Sequence, residues 1–138
     1  MFRRIVVPVD LTAKNARAIA AAQDLAARCG AQVLVLHVIE TIDAPFDELA
    51  DFYKQLEARA REQLETLTRP LQEAGVLLEQ HVRYGKRVAE IVRYAEEREA
   101  DLILIGSHRP EPEHPRETLL TISHQVAIVA NCPVLVLK

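Results

Sequence analysis

The feature that most limits the fold of this chain is a set of short apolar runs set between amphipathic stretches. IVVPV at 5–9, VLVLHVI at 33–39, DLILI at 101–105 and VLVL at 134–137 carry apolar residues without alternation. Such runs are too short for helices and read as strands buried on both faces, the signature of a parallel sheet. The stretches between them have helical spacing. Over 12–29, Ala18, Ala22, Leu25, Ala26 and Cys29 share one face, with Thr12 as the expected N-cap and Gly30 as the stop. A long helix is expected over 46–74, its inner face running through Leu49, Tyr53, Leu56, Ala60, Leu64, Leu67 and Leu71. Pro70 should kink that helix or end its regular part, and Gly75 closes it.

Residues 76–83 are strand-like but contain Glu79, Gln80 and His81, so this most polar strand belongs at a sheet edge. Gly85 then opens a helix over 86–99 with Val88, Ile91, Val92 and Ala95 inward. A Pro- and Glu-rich loop covers 107–116, and Leu119, Ile122, Val126, Val129 and Ala130 mark a last helix. Strands alternating with helices give one α/β domain over 1–138, a five-stranded parallel sheet with helices on both faces. Ligands of such sheets bind beyond the carboxyl ends of the strands, at a switch point. That directs attention to 8–12, 37–40 and Gly106 onward.

Charge and composition exclude several classes. A formal charge of −3 gives no nucleic-acid surface. No apolar run approaches the roughly 20 residues of a membrane span, and the first strand begins too early for a signal peptide, so a cytoplasmic protein is expected. Cys29 and Cys132 form no CxxC pair and read as small buried apolar side chains. The stretch after the first strand, VDLTAKNAR, has no glycine and cannot be a dinucleotide fingerprint. Gly85-Lys86 lacks the rest of a P-loop, and Asp10 without an acidic neighbour, with RYG closing the third strand, argues against a phospho-acceptor receiver. His108, His114 and His124 have no metal-ligand spacing. Arg83, Lys86, Arg87 and Arg93 read as a solvated face. No nucleophile–base order or strand-end carboxylate pair is present, so no catalytic residue is assigned.

Four segments together resemble the universal stress protein family: RRIVVPVD, LVLHVI, GKRVAEIVRYAEEREADLILIGS and VAIVANCPVLVL, which span nearly the whole chain in the family's order. The resemblance implies an adenine-nucleotide alpha hydrolase-like sheet of order 3-2-1-4-5. It also implies a homodimer paired through Val134, Leu135, Val136 and Leu137, and a role in stress response. Family members that bind ATP carry Gly-x-x-Gly-x9-Gly-Ser/Thr after the fourth strand. Here Gly106 matches the first glycine, Arg109 replaces the second, and Leu120 and Thr121 take the final pair in a loop one residue longer. Pro110, Pro112 and Pro115 remove N–H donors, and Glu111, Glu113 and Glu117 add negative charge, partly offset by His108, Arg109 and Arg116. The phosphate cradle is degraded.

The nucleoside half matches better. Asp10 and Val38 fall where the family holds adenosine, flanked by Pro8, Val9, Ile105, Gly106, Arg109, Thr121 and Ile122 as the implied nucleotide-binding set. Asp10 could accept hydrogen bonds from ribose or adenine, or cap the following helix; Val38 could edge the ligand or belong to the core. The implied function is a homodimeric binding module that takes ATP or AMP weakly, with no resident cofactor or metal assigned. The alternative is a slow ATP-hydrolysing or phosphate-transfer protein using the same pocket.

Overall fold

A computed structural model describes residues 1–41, 46–107 and 121–138. Strand β1 (Arg4–Pro8), helix α1 (Asn15–Cys29), β2 (Gln32–Glu40), α2 (Phe46–Glu73), β3 (Leu78–Gly85), α3 (Arg87–Glu97), β4 (Leu102–Gly106), α4 (Ile122–Val129) and β5 (Val134–Leu137) follow in chain order. The strands form one five-stranded sheet in the order β3-β2-β1-β4-β5. Every neighbouring pair is parallel. The expected sheet, its order and the edge position of β3 are all present.

Period-two alternation splits the apolar strands between two cores. Ile5 and Val7 of β1 pack with Val33, Val35, Leu102 and Leu104 beneath α1 and α2, where they meet Ala22, Ala26, Leu64 and Leu71. Val6 joins Leu34, Leu36, Ile103 and Ile105 on the opposite face, against Ile91, Tyr94, Ala95 and Val126. The alanines of α1 let that helix lie close to the sheet. The same alternation divides the edge strand β3: Leu78 and Val82 pack toward α2, while Glu79, His81 and Arg83 meet α3.

A gap between β1 and β4 positions the site. β1 pairs with β2 over five residues, Arg4↔Gln32 to Pro8↔Leu36, but with β4 only at Ile5↔Leu102 and Val6↔Ile103. The cause is Pro8. Because the Val9 amide donates to the Leu36 carbonyl (2.9 Å), alternation turns even-numbered positions of β1 toward β4. Pro8 has no N–H to give on that side, so the ladder stops and the strands part.

Several local expectations are corrected. α1 begins at Asn15, not Thr12, and Lys14 before it supplies no side-chain cap. The Thr12 hydroxyl is instead drawn to Asp10 Oδ1 (2.7 Å). α2 runs through Pro70 to Glu73 without ending there. β3 lies two residues later than expected, and α3 is shorter at both ends. Of the residues expected to mark the last helix, Ile122, Val126 and Val129 lie in α4, Val129 being 50% exposed; Ala130 lies beyond it, and Leu119 is outside the described residues. Cys29 and Cys132 are half-buried free thiols.

Candidate functional site

A cavity of about 250 Å³ opens where β1 and β4 part. Its floor is apolar: Val9, Leu36, Val38, Ile91, Ile105 and Ile122. Polar groups also line it, namely Asp10, Asn15, Arg87, Ser107, Thr121 and Ser123, of which Asn15 and Ser123 are buried. Of the positions singled out in the sequence, Pro8, Val9, Asp10, Val38, Ile105, Gly106, Thr121 and Ile122 all line this space. Arg109 lies outside the described residues, as do His108 and His114.

The Asp10 side chain is held by the backbone it caps. Its Oδ1 accepts from the Thr12 amide (3.0 Å) and the Thr12 hydroxyl (2.7 Å). The same amide also meets Asn15 Oδ1 (3.1 Å). These bonds fix a turn whose central residue, Leu11, has φ of 65°. A left-handed leucine costs about 1–2 kcal/mol, and the two carboxylate contacts offset it. Thus Asp10 is both a turn cap and a rim carboxylate. On the neighbouring strand, His37 Nδ1 donates to the Val9 carbonyl (2.9 Å), which requires the proton on Nδ1. That bond pins the strand end carrying Asp10.

Across the gap, Thr121 caps α4. Its Oγ1 accepts from the His124 amide (3.4 Å), and lies 3.1 Å from Ser123 Oγ and 2.5 Å from His124 Nδ1. The first amides of a helix have no intrahelical acceptor, so the opening turn of α4 presents donors beside the apolar floor. Gly106 has an ordinary backbone, and a Cβ there would meet no atom of the described residues within 4 Å. Its contribution is room at the mouth of the cavity rather than unusual backbone geometry.

Sequence reasoning missed Asn15, Leu36, Arg87, Ile91, Ser107 and Ser123 as lining residues. Arg87 was expected on a solvated face, yet as the first residue of α3 it turns to the cavity. Its place directly after the Gly85 turn was the available signal. Of the other cations expected on that face, Arg83 and Arg93 pair with the buried Glu90, while Lys86 is exposed. Among the described residues no group of three His, Cys, Asp or Glu is placed to hold a metal ion. No helix among them is long and apolar enough to cross a membrane.

The family model described as the universal stress protein family matches residues 1–138. The chain belongs to the universal stress protein family. Among universal stress proteins, MJ0531 of Methanocaldococcus jannaschii is 27% identical to it over 142 residues, covering all of this chain and 83% of that one. The structure of hypothetical protein MJ0577 matches with a TM-score of 0.85 and 26% identity, covering 100% of this chain and 96% of the other. The universal stress protein from Archaeoglobus fulgidus in complex with dAMP shares the fold, with a TM-score of 0.73 at 24% identity over 99% and 98% of the two chains.

Proposed function

We propose that this universal stress protein is a cytoplasmic homodimeric binding module that takes the adenosine part of an adenine nucleotide in the cavity between β1 and β4. The observation that carries the reading is the pairing of an apolar slot with a fixed carboxylate at its lip. Val9, Val38, Ile105 and Ile122 offer faces for a flat base, and Asp10 offers an oxygen for ribose hydroxyls or an amino group. The dAMP held by the Archaeoglobus fulgidus protein supports an adenine nucleotide as the ligand class.

Binding without turnover is the reading for the reaction side. Hydrolysis requires a held γ-phosphate, a metal and an aligned water, and the prolines and glutamates of the 107–120 sequence work against the first. Dimerisation is supported by apolar exposure at the β5 edge. Leu135 on β5 is 39% exposed and Ile128 on the preceding helix is 82% exposed, surface that a second copy would bury. Native mass spectrometry of freshly purified protein tests both parts together. A dimer carrying substoichiometric adenine nucleotide is expected; a ligand-free monomer that also ignores added AMP would refute the proposal.

A further inference from the structure

Arg87 differs from the other arginines of its face in what it lacks. Glu90, three residues on, is its natural helical partner, but both carboxylate oxygens are taken. Arg93 Nη1 donates to Oε1 (2.9 Å), and Arg83 pairs with Oε2 (3.8 Å). Among the described residues Arg87 makes no hydrogen bond or ion pair. It is half-buried and lines the cavity between β1 and β4 beside Ile91, one turn further along the same helix face. A guanidinium taken partly out of water without a partner is unfavourable, and a rule broken at a cavity wall is expected where the ligand completes the site.

The sheet order gives this cavity two ends. β2 and β4 lie on opposite sides of β1. Val38 of β2, with Arg87 and Ile91 of α3, forms one end, while Gly106, Ser107 and the opening turn of α4 form the other. Asp10, just after β1, stands between them. A nucleoside whose ribose meets Asp10, and whose phosphate side faces the first amides of α4, has its base at the β2 end. The polar side chain at that end is Arg87, set among Leu36, Val38 and Ile91.

A guanidinium carries only donors. It cannot receive the exocyclic amino group of adenine, whereas it meets the carbonyl and ring nitrogen of an oxopurine with a pair of donors, as arginine commonly does with guanine. Main-chain groups offer a donor and an acceptor per residue and suit either base, so the side chain decides. We propose that Arg87 is a specificity-determining residue that extends the ligands of this cavity to oxopurine nucleosides, with hypoxanthine or guanine as the base, and favours them over adenosine. That assignment rests on the function proposed above for the place of the nucleoside and departs from it in the base.

Calorimetry of the full chain with adenosine and inosine, both uncharged, tests the base without interference from phosphate. Inosine should bind about tenfold tighter, the scale of one hydrogen bond to a charged group. In Arg87→Met, which keeps an apolar stem but no donor, the two affinities should come within about twofold of each other while that for adenosine stays unchanged. Arg87→Lys, which retains a donor, should keep inosine ahead. A purely structural role would lower both affinities together and leave their ratio where it was. Adenosine binding as tightly as inosine in the starting protein, or a preference that survives Arg87→Met, overturns the role of Arg87 and leaves the adenine-nucleotide reading standing. Inosine binding with adenosine silent sustains that role and sinks the adenine-nucleotide reading; silence from both nucleosides sinks the two together.

Discussion

Pro8 shapes the site by what it lacks. Proline is ordinarily kept out of central strands because it cannot donate to the ladder, yet here the missing donor ends the β1–β4 pairing at Val6↔Ile103. Pro8→Ala would restore an N–H facing β4 and allow one more inter-strand bond. We expect hydrogen exchange to reveal a protected amide at position 8. Adenosine affinity should fall severalfold, with stability changed by less than about 1 kcal/mol because the new bond offsets the lost rigidity of the unfolded chain. Asp10 presents a different trade, since its carboxylate caps the Leu11 turn. Asp10→Ala should cost about 1 kcal/mol of stability through the lost cap and remove most adenosine binding. Asp10→Asn should recover the stability but not the full affinity. Chemical denaturation beside calorimetry separates the two effects; equal loss in both variants of both quantities would contradict the dual role.

Between elements, β3 is held to α3 by charge and aromatic contact. Arg83 lies over the Tyr94 ring at 4.9 Å and pairs with Glu97 and Glu90, while Arg98 pairs with Glu79. Burial pushes the Tyr94 phenol up to about 12, so its O–H stays protonated, and it shares a hydrogen bond with His81 Nδ1 (2.7 Å). Burial, then Arg83 and Arg61, lower the His81 pKa below 6.5, so the fold favours the neutral ring. The unfolded chain binds the proton more readily, so the contribution to stability is complete above about pH 6.5 and declines as pH falls below it. Melting temperatures of the protein and of His81→Gln should therefore converge between about pH 7 and pH 5; a gap that widens on acidification would exclude this. Gly85 joins the same network, because at φ of 144° a Cβ would lie 2.9 Å from Glu90 Cγ. Gly85→Ala should destabilise by about 1–3 kcal/mol, measured by urea denaturation.

The edge position of β3 was legible from Glu79, Gln80 and His81, since polar residues inside a strand mark an edge. The Arg83–Tyr94 contact was not, because it joins residues from two elements whose facing depends on the register of the whole sheet. Likewise the place of the cavity was visible in Asp10, Val38 and Gly106, each near the carboxyl end of a strand. The start of α1 was misjudged because Thr12 has two acceptable roles and the nearby Asp10 captured its hydroxyl. Ile128 and Val129 on the outer side of α4 were not separable by helical period in so short a helix.

At the scale of the molecule, the proposed dimer and the proposed ligand make separate demands. Leu135→Lys at the exposed edge of β5 should shift sedimentation toward monomer at micromolar concentration, with adenosine binding retained, since β5 residues 134–136 do not line the first cavity. A variant that stays fully dimeric would place the interface elsewhere. For the ligand, the loss of N–H donors in 107–120 predicts AMP and ATP affinities within about tenfold of each other. ATP binding a hundredfold tighter would mean that this segment has built another phosphate site.

The two rims of the sheet are unlike. On β3, Glu79 and Arg83 are locked into ion pairs with α3, and such charges discourage a further strand from docking. β5 carries only VLVL and has no comparable fence in its own sequence. In the language of polymers, a sheet open at both rims is a bifunctional monomer and grows without limit, whereas a sheet fenced at one rim has a valence of one. In the proposed dimer, association through β5 would use the rim that lacks such a fence, so the assembly would stop at two copies instead of extending into a fibre.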